Sequence, residues 1–138
     1  MLLLEYNFNP YSGQASYYYH LASGHISDCI KCLDNLLICY LQKNGIEPRK
    51  TIGQKIKQFN TANSRKNNIV TNIKYIVYTR NAFQHGKDLP IENKLYIAYK
   101  NKKIELTTEF MHDFQEKYNY IYNWFVEENN KKHYTIYQ

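Results

Sequence analysis

Three segments of this sequence carry apolar residues at the spacing of one face of an α-helix, and this periodicity predicts a mainly helical fold. The segments cover residues 23–43, 68–84 and 107–128. The apolar positions are Ile26, Ile30, Leu33, Leu37, Tyr40 and Leu41 in the first segment, Ile69, Ile73, Ile76, Val77 and Phe83 in the second, and Phe110, Phe114, Tyr118, Ile121 and Phe125 in the third. A shorter helix is expected after Thr51, because Thr51 and Gln54 match a capping box.

Local signals set the expected ends of these helices. Ser23 is a predicted N-cap, and Asn44-Gly45 is typical of a helix C-terminus. We expect Lys55 to be solvated, the polar run 60–67, with Arg65 and Lys66, to be a surface loop, and residues 134–137 to form a short strand.

Arg80 lies on or beside the apolar face of the second long segment. A guanidinium keeps its charge and is costly to bury without a carboxylate, a set of carbonyls or a phosphate. His85 follows five residues later, which on a straight helix turns its side chain about 140° away from Arg80. We predict that the helix stops near His85, with Gly86 as a left-handed cap, so that the imidazole swings back toward Arg80 and forms a cationic notch.

The segment Arg80-Asn81-Ala82-Phe83-Gln84-His85 resembles the signature motif of the HEPN superfamily, in which an Arg, often followed by Asn, precedes a His by a few residues. The resemblance implies a single HEPN-like domain over residues 1–138, a bundle of four to five helices that dimerises. Many members are metal-independent ribonucleases of toxin–antitoxin, abortive-infection or CRISPR-associated defence systems, and some are non-catalytic. Members paired with a nucleotidyltransferase antitoxin often have Tyr two residues after the His, where this chain has Lys87.

The chemistry that the motif implies uses the 2′-OH of RNA as the nucleophile. His85 would take or return a proton, Arg80 would hold the phosphate bidentately, and Asn81 would orient His85 or bind a phosphate oxygen. The products would be a 2′,3′-cyclic phosphate and a 5′-OH, formed without a metal or other cofactor. One Arg and one His are few groups for two proton transfers, so the resemblance implies that two chains share one cleft.

Three other interpretations of the motif remain open. Arg80 could be structural, paired with Glu109 or Asp113, while His85 only ends the helix. The domain could also bind RNA or a nucleotide without cutting it, or pair with a cognate antitoxin or a larger defence protein.

After Gly86 the apolar residues no longer recur at helical spacing and instead alternate with polar residues. Residues 95–99 and 103–106 alternate around Lys100-Asn101-Lys102, which predicts a β-hairpin between the last two long helices, after a loop marked by Pro90. Basic and aromatic residues in this region form a candidate surface for single-stranded RNA: Lys87, Lys100, Lys102, Lys103, Tyr96 and Tyr99. A hairpin kept in solution by its lysines gives the same pattern.

The formal net charge of +6 and the pI of about 9.1 favour a phosphate-bearing partner, although AT-rich codons would also enrich lysine. Cys29, Cys32 and Cys39 cluster in one helix and indicate packing rather than a disulfide framework, with a metal or redox role as the alternative. Residues 1–4 are apolar but lack the basic region and cleavage site of a signal peptide, and residues 29–41 are too short to span a bilayer. We therefore expect a cytoplasmic protein with no membrane partner.

Overall fold

Four helices and one small antiparallel sheet make up the part of the chain that this computed structural model describes, residues 13–63, 67–91 and 94–136. In chain order the elements are α1 Gly13–Lys43, α2 Ile52–Ala62, α3 Asn67–His85, β1 Lys87–Ile91, β2 Lys94–Tyr99, β3 Lys102–Glu105 and α4 Thr108–Ile136. The predicted helical class and the hairpin between the last two long helices are confirmed. The loop expected at residues 60–67 is wrong at both ends, because residues 60–62 belong to α2 and Asn67 begins α3, and the expectations for Arg65 and Lys66 fall outside the described residues. No described helix combines the length and apolar character needed to cross a bilayer.

Local sequence signals set several helix ends as predicted. At the start of α2, Thr51 Oγ1 accepts from the Gln54 amide at 3.1 Å, and the Thr51 amide donates to Gln54 Oε1 at 3.2 Å. At the end of α1, Gly45 has φ +73° and the Ile46 amide donates to the Leu41 carbonyl at 2.8 Å, the bond pattern of a Schellman motif. These ends depend on residues that are neighbours in the chain.

Two long helices extend beyond their predicted ends because of contacts with distant residues. Ser23 lies inside α1, so its assignment as an N-cap is wrong. Tyr19, one turn earlier, stacks on Phe83 of α3 at 5.5 Å and donates its hydroxyl to the Phe83 carbonyl at 2.6 Å. At the other end, α4 runs to Ile136, so the strand expected at residues 134–137 is wrong. Asn129 in this extension is buried, and its carbonyl accepts from Lys43 Nζ at 2.9 Å.

The core lies where α1, α3 and α4 pack together, with α2 covering one end. Phe59 is the main contribution of α2, and it joins Tyr40, Trp124 and Phe125 in an aromatic cluster whose ring centroids are 5.0–5.8 Å apart. Such ring pairs add to the free energy gained by apolar burial. The cluster fixes α2 against the bundle and so sets its position beside α3.

Lys55 of α2 is buried, and the expectation that it is solvated is wrong. Its Nζ lies 2.9 Å from Asp34 Oδ1 of α1 and donates to the Lys50 carbonyl at 3.1 Å. Only 6% of the Lys55 side chain is exposed, compared with 34% of the Asp34 side chain. The contact with Asp34 is an ion pair rather than a well-aligned hydrogen bond, because the two atoms are close but Oδ1 accepts no hydrogen bond. This contact joins two helices that are separated by a loop.

The sheet has the order β1-β2-β3, with each neighbouring pair antiparallel. Lys100 and Asn101 have φ +49° and +63°, which is the backbone of a two-residue type I′ turn and confirms the predicted hairpin. The prediction of a loop at Pro90 is wrong, because residues 87–91 form the edge strand β1 and Pro90 pairs with Leu95. An edge strand accepts proline because one side of its backbone needs no hydrogen-bond partner.

Candidate functional site

Arg80 is half-buried in α3 and has no acidic partner within the described part of the chain. Its Nη1 donates to Gln84 Oε1 of the same helix at 3.3 Å, and its Nε is buried without a hydrogen-bond partner. The alternative in which Arg80 pairs with Glu109 or Asp113 is not observed, and Asp113 instead lies 2.6 Å from Lys117 Nζ. A guanidinium therefore lies at the edge of the apolar core with one donor unused.

His85 is the last residue of α3, and its side chain is exposed. Among the described residues it makes no side-chain hydrogen bond, ion pair or ring contact. Because α3 stays helical through His85, the five-residue spacing turns its side chain about 140° from that of Arg80. The predicted return of the imidazole toward Arg80 has no support in this backbone.

Gly86 has no positive φ, so its assignment as a left-handed cap is wrong. Its amide donates to the Ala82 carbonyl at 2.8 Å, as in a continuing helix. A Cβ at this position would meet the Ala82 carbonyl oxygen, would lie 2.8 Å from the Ala98 carbonyl oxygen, and would lie 2.9 Å from Ile97 Cγ2. Glycine is required here because the end of α3 presses against the backbone of β2.

Asn81 faces a groove of about 350 Å³ between α2, α3 and the turn that joins β2 to β3. Tyr99 and Lys100, two of the predicted RNA-binding residues, line the same groove. On the surface of α3, His85 lies about 40° from Asn81 and about 20° from Tyr78, which also lines the groove. His85 therefore belongs to the groove side of α3, whereas Arg80 belongs to the side that adjoins the core.

The sheet register divides the remaining RNA-binding candidates between two faces. Lys87 pairs with Ala98 and Ala98 with Lys103, so the two lysines lie on the same outer face as Tyr96, two residues along β2. Tyr99 pairs with Lys102 and belongs to the opposite face, which packs on the helices. The predicted set is therefore two separate surfaces rather than one.

The helix-facing side of the hairpin carries a group of tyrosine and lysine contacts that the sequence did not indicate. Tyr78 of α3 lies 5.6 Å from the Tyr99 ring and donates its hydroxyl to the Tyr99 carbonyl at 2.9 Å. Lys100 Nζ lies 5.4 Å from the centre of the Tyr99 ring, and Lys102 Nζ lies 5.4 Å from that of Tyr78. Desolvation and the neighbouring Tyr99 raise the pKa of Tyr78, so this phenol stays protonated as a donor.

A regular spacing of polar residues along α3 is the signal in the sequence that could have indicated the helix side of this tyrosine and lysine group. Lys74, Tyr78, Asn81 and His85 recur at the i, i+4, i+7, i+11 spacing of one helix face. The stripe is visible in the sequence, but its partners on α2 and the hairpin are not.

The cysteines of α1 fit the packing role. Cys29 is 4% exposed, and its Sγ lies 3.5 Å from His25 Nε2. Desolvation by burial, followed by the nearby Cys32 and Asp28, raises the pKa of Cys29 to about 12. Within the described residues no three His, Cys, Asp or Glu side chains are grouped so that they could hold a metal ion.

Comparisons with protein-family models, with curated proteins and with solved structures found no match to this chain.

Proposed function

We propose that this protein is a metal-independent endoribonuclease of the HEPN type, which cuts RNA in a cleft shared by two chains. Its proposed setting is a toxin or antiviral defence system. The proposal combines the motif resemblance at residues 80–85 with the positions of Arg80 and His85 at the end of α3.

The unsatisfied Arg80 guanidinium is the observation that carries the proposal. A buried donor without a partner costs on the order of 1–3 kcal/mol, so the chain keeps Arg80 Nε at a cost to stability. Two adjacent guanidinium N–H groups match two phosphate oxygens in geometry and charge. With the Arg80 side chain turned outward from its present buried position, a scissile phosphate would supply the acceptor that Nε lacks and would gain stabilisation as charge develops on it.

His85 supplies the proton transfer in this proposal. Its imidazole is exposed at a helix end and has no described partner that would have to be displaced. As general base it takes the proton of the 2′-OH, whose oxygen bonds to phosphorus while the bond from phosphorus to the 5′ oxygen breaks. The departing 5′ oxygen takes a proton from a second imidazole that is protonated at the start of the step, which leaves a 2′,3′-cyclic phosphate and a 5′-OH.

The divergence of the two side chains favours a shared cleft. Arg80 and His85 of one chain point about 140° apart on α3, so one chain does not direct both at a single phosphate. In a dimer, Arg80 of one chain and the partner's His85 would meet at the same phosphate, and two imidazoles would be available for the two proton transfers.

Cleavage of a fluorescent single-stranded RNA in EDTA tests the proposal. Wild-type protein should cut it and leave cyclic phosphate ends, and His85→Ala should lose about 100-fold or more in rate, as expected when a general acid–base is removed. Arg80→Ala should lose a comparable factor, whereas His112→Ala, which changes an exposed histidine of α4, should cut at the wild-type rate. Cleavage that requires a divalent metal, or cutting by a protein that is monomeric in light scattering, would contradict the mechanism.

A non-catalytic RNA-binding module is the second candidate, favoured by the same divergence of Arg80 and His85 within one chain. The same assay separates the two functions. Tight binding of the RNA with no cyclic phosphate product, together with no growth arrest on expression in bacteria, would establish the module.

A further inference from the structure

We propose that the groove between α2, α3 and the β2–β3 turn binds one nucleotide of a single-stranded RNA. The proposal deepens the proposed function and rests on it, because it states where the strand lies when its scissile phosphate is at His85.

The groove walls suit a nucleobase. The floor is apolar, formed by Ile56, Ile73 and Val77, and Tyr78 and Tyr99 stand beside it. Its volume of about 350 Å³ is near the lower end of the range for small-ligand pockets, which fits one nucleotide and not a duplex. Tyr99 is partly exposed, and Lys100, an exposed residue, lies over its ring, so a base that displaces this ammonium can stack on the ring.

The charge at the rim selects a phosphate-bearing ligand. Lys57, Lys74 and Lys100 line the groove, and no acidic residue within the described ranges does. All three lysines are exposed, and the side chains of Lys57 and Lys74 make no ion pair or hydrogen bond with a described residue. Cations that surround an apolar, aromatic floor form the pattern by which proteins hold single-stranded nucleic acid, with rings for bases and lysines for the backbone.

Two asparagines add polar groups for the edge of a base or for a 2′-OH. Asn81 extends into the groove from α3 and Asn60 from α2. Asn60 Oδ1 is buried and has no hydrogen-bond partner in the described part of the chain, so the amide has to turn before it meets a ligand. An amide that can turn toward a ligand offers both a donor and an acceptor.

The position of the groove relative to His85 connects binding to cleavage. Asn81 and Tyr78 lie on the same side of α3 as His85, about 6 Å and about 10 Å from it along the helix axis. A strand with one base in the groove would therefore run along α3 toward the imidazole.

Fluorescence anisotropy with a 5′-labelled eight-nucleotide single-stranded RNA tests the groove without cleavage, in a His85→Ala background. Lys57→Gln/Lys74→Gln should weaken RNA binding about tenfold or more. The slope of the logarithm of the binding constant against the logarithm of the salt concentration should fall by about 1.4, because two contacts with the phosphates of a single strand are lost. Lys31→Gln/Lys131→Gln is the matched control, because both lysines are exposed and belong to α1 and α4, which contribute no described residue to the groove lining, and the net charge falls equally. This control should change the affinity by less than about threefold.

Two further variants separate the groove from the outer face of the sheet and from a loss of fold. Tyr99→Leu should lose about tenfold in affinity through lost stacking, whereas Tyr99→Phe should bind like the parent protein. Lys87→Gln/Lys103→Gln, on the outer face, should match the control pair. Thermal unfolding of each variant verifies that it is folded.

The inference is overturned if the groove pair binds like the control pair, or if the outer-face pair loses more affinity than the groove pair. Its failure differs from that of the proposed function. Groove variants that bind normally while wild-type protein cuts in EDTA would remove the subsite only, and groove-dependent binding by a protein that never cuts would remove the nuclease only.

Discussion

Replacing Gly86 by alanine should destabilise the protein, whereas the same change at Gly24 should stabilise it. Gly86 joins α3 to β1 and lies against the backbone of β2. Gly24 is exposed within α1, and a Cβ there would meet nothing within 4 Å. The pair of variants therefore isolates one physical effect, the space available to a single methyl group.

The size of the effect at Gly86 follows from the atoms that the methyl group would meet. Two of them are carbonyl oxygens, of Ala82 and Ala98, which belong to α3 and β2 and cannot turn aside as a flexible side chain would. Inserting a methyl group into such a site costs about 1–3 kcal/mol, and we take the upper value because backbone must move. Loss of glycine entropy from the unfolded chain returns about 0.4–1 kcal/mol, which leaves a net loss of about 2 kcal/mol.

Thermal unfolding followed by circular dichroism measures the outcome. For a domain of this length about 4 °C corresponds to 1 kcal/mol, so Gly86→Ala should lower the Tm by roughly 8 °C. Gly24→Ala should raise it by roughly 2–4 °C, since alanine is favoured over glycine in a helix by about 0.5–1 kcal/mol. A Gly86→Ala protein with a wild-type Tm would refute the close approach of α3 to β2.

Two further predictions concern buried ionisable groups. Asp34→Ala should lower the free energy of unfolding, measured in urea, by about 3 kcal/mol because it leaves the Lys55 ammonium buried without its partner. Lys55→Met should lower it less, because Asp34 is partly exposed and can turn to water. Equal losses in the two variants would contradict this asymmetry. Burial raises the pKa of Cys29 from 9.0 to about 12 and, as the first of several causes, that of Tyr75 from 10.0 to about 12. Both groups are protonated in the folded state, so the stabilisation that comes with their raised pKa is complete below pH 9 and is lost as the pH rises toward 12. The Tm should therefore fall between these pH values, and a Cys29→Ala variant should show a shallower fall.

In the candidate site, the position of each residue along α3 follows from the local sequence, but the direction of the side chains does not. Position along α3 was predictable: Arg80 falls on the core edge and His85 at the helix end, as the spacing indicates. The angle between the two side chains was not predictable, because it depends on whether the last turn of α3 stays helical. Contact with the Ala98 carbonyl and Ile97 fixes the backbone at Gly86, and those atoms belong to a strand that comes later in the chain.

The hairpin likewise has features that its own residues determine and features that depend on distant segments. Lys100 and Asn101 form the expected turn, since a two-residue turn is set by its own backbone. The number of strands was wrong because β1 gains its hydrogen bonds from β2, and a proline within it disguised it as a loop. The sequence predicts one surface from the lysines and tyrosines of this region, whereas the register divides them between two faces.

Interactions between residues that are close in the chain account for one set of this protein's properties. These are the helical segments, the Thr51 capping box, the Gly45 terminus, the tight turn and the half-buried position of Arg80. Contacts between distant segments account for the buried charges and for the surfaces that meet: Lys55 against Asp34, the groove between α2 and α3, and the opposed directions of Arg80 and His85. The reason is physical, since periodicity and capping are interactions of a few residues, whereas desolvation and the meeting of surfaces depend on atoms that only folding brings within contact distance.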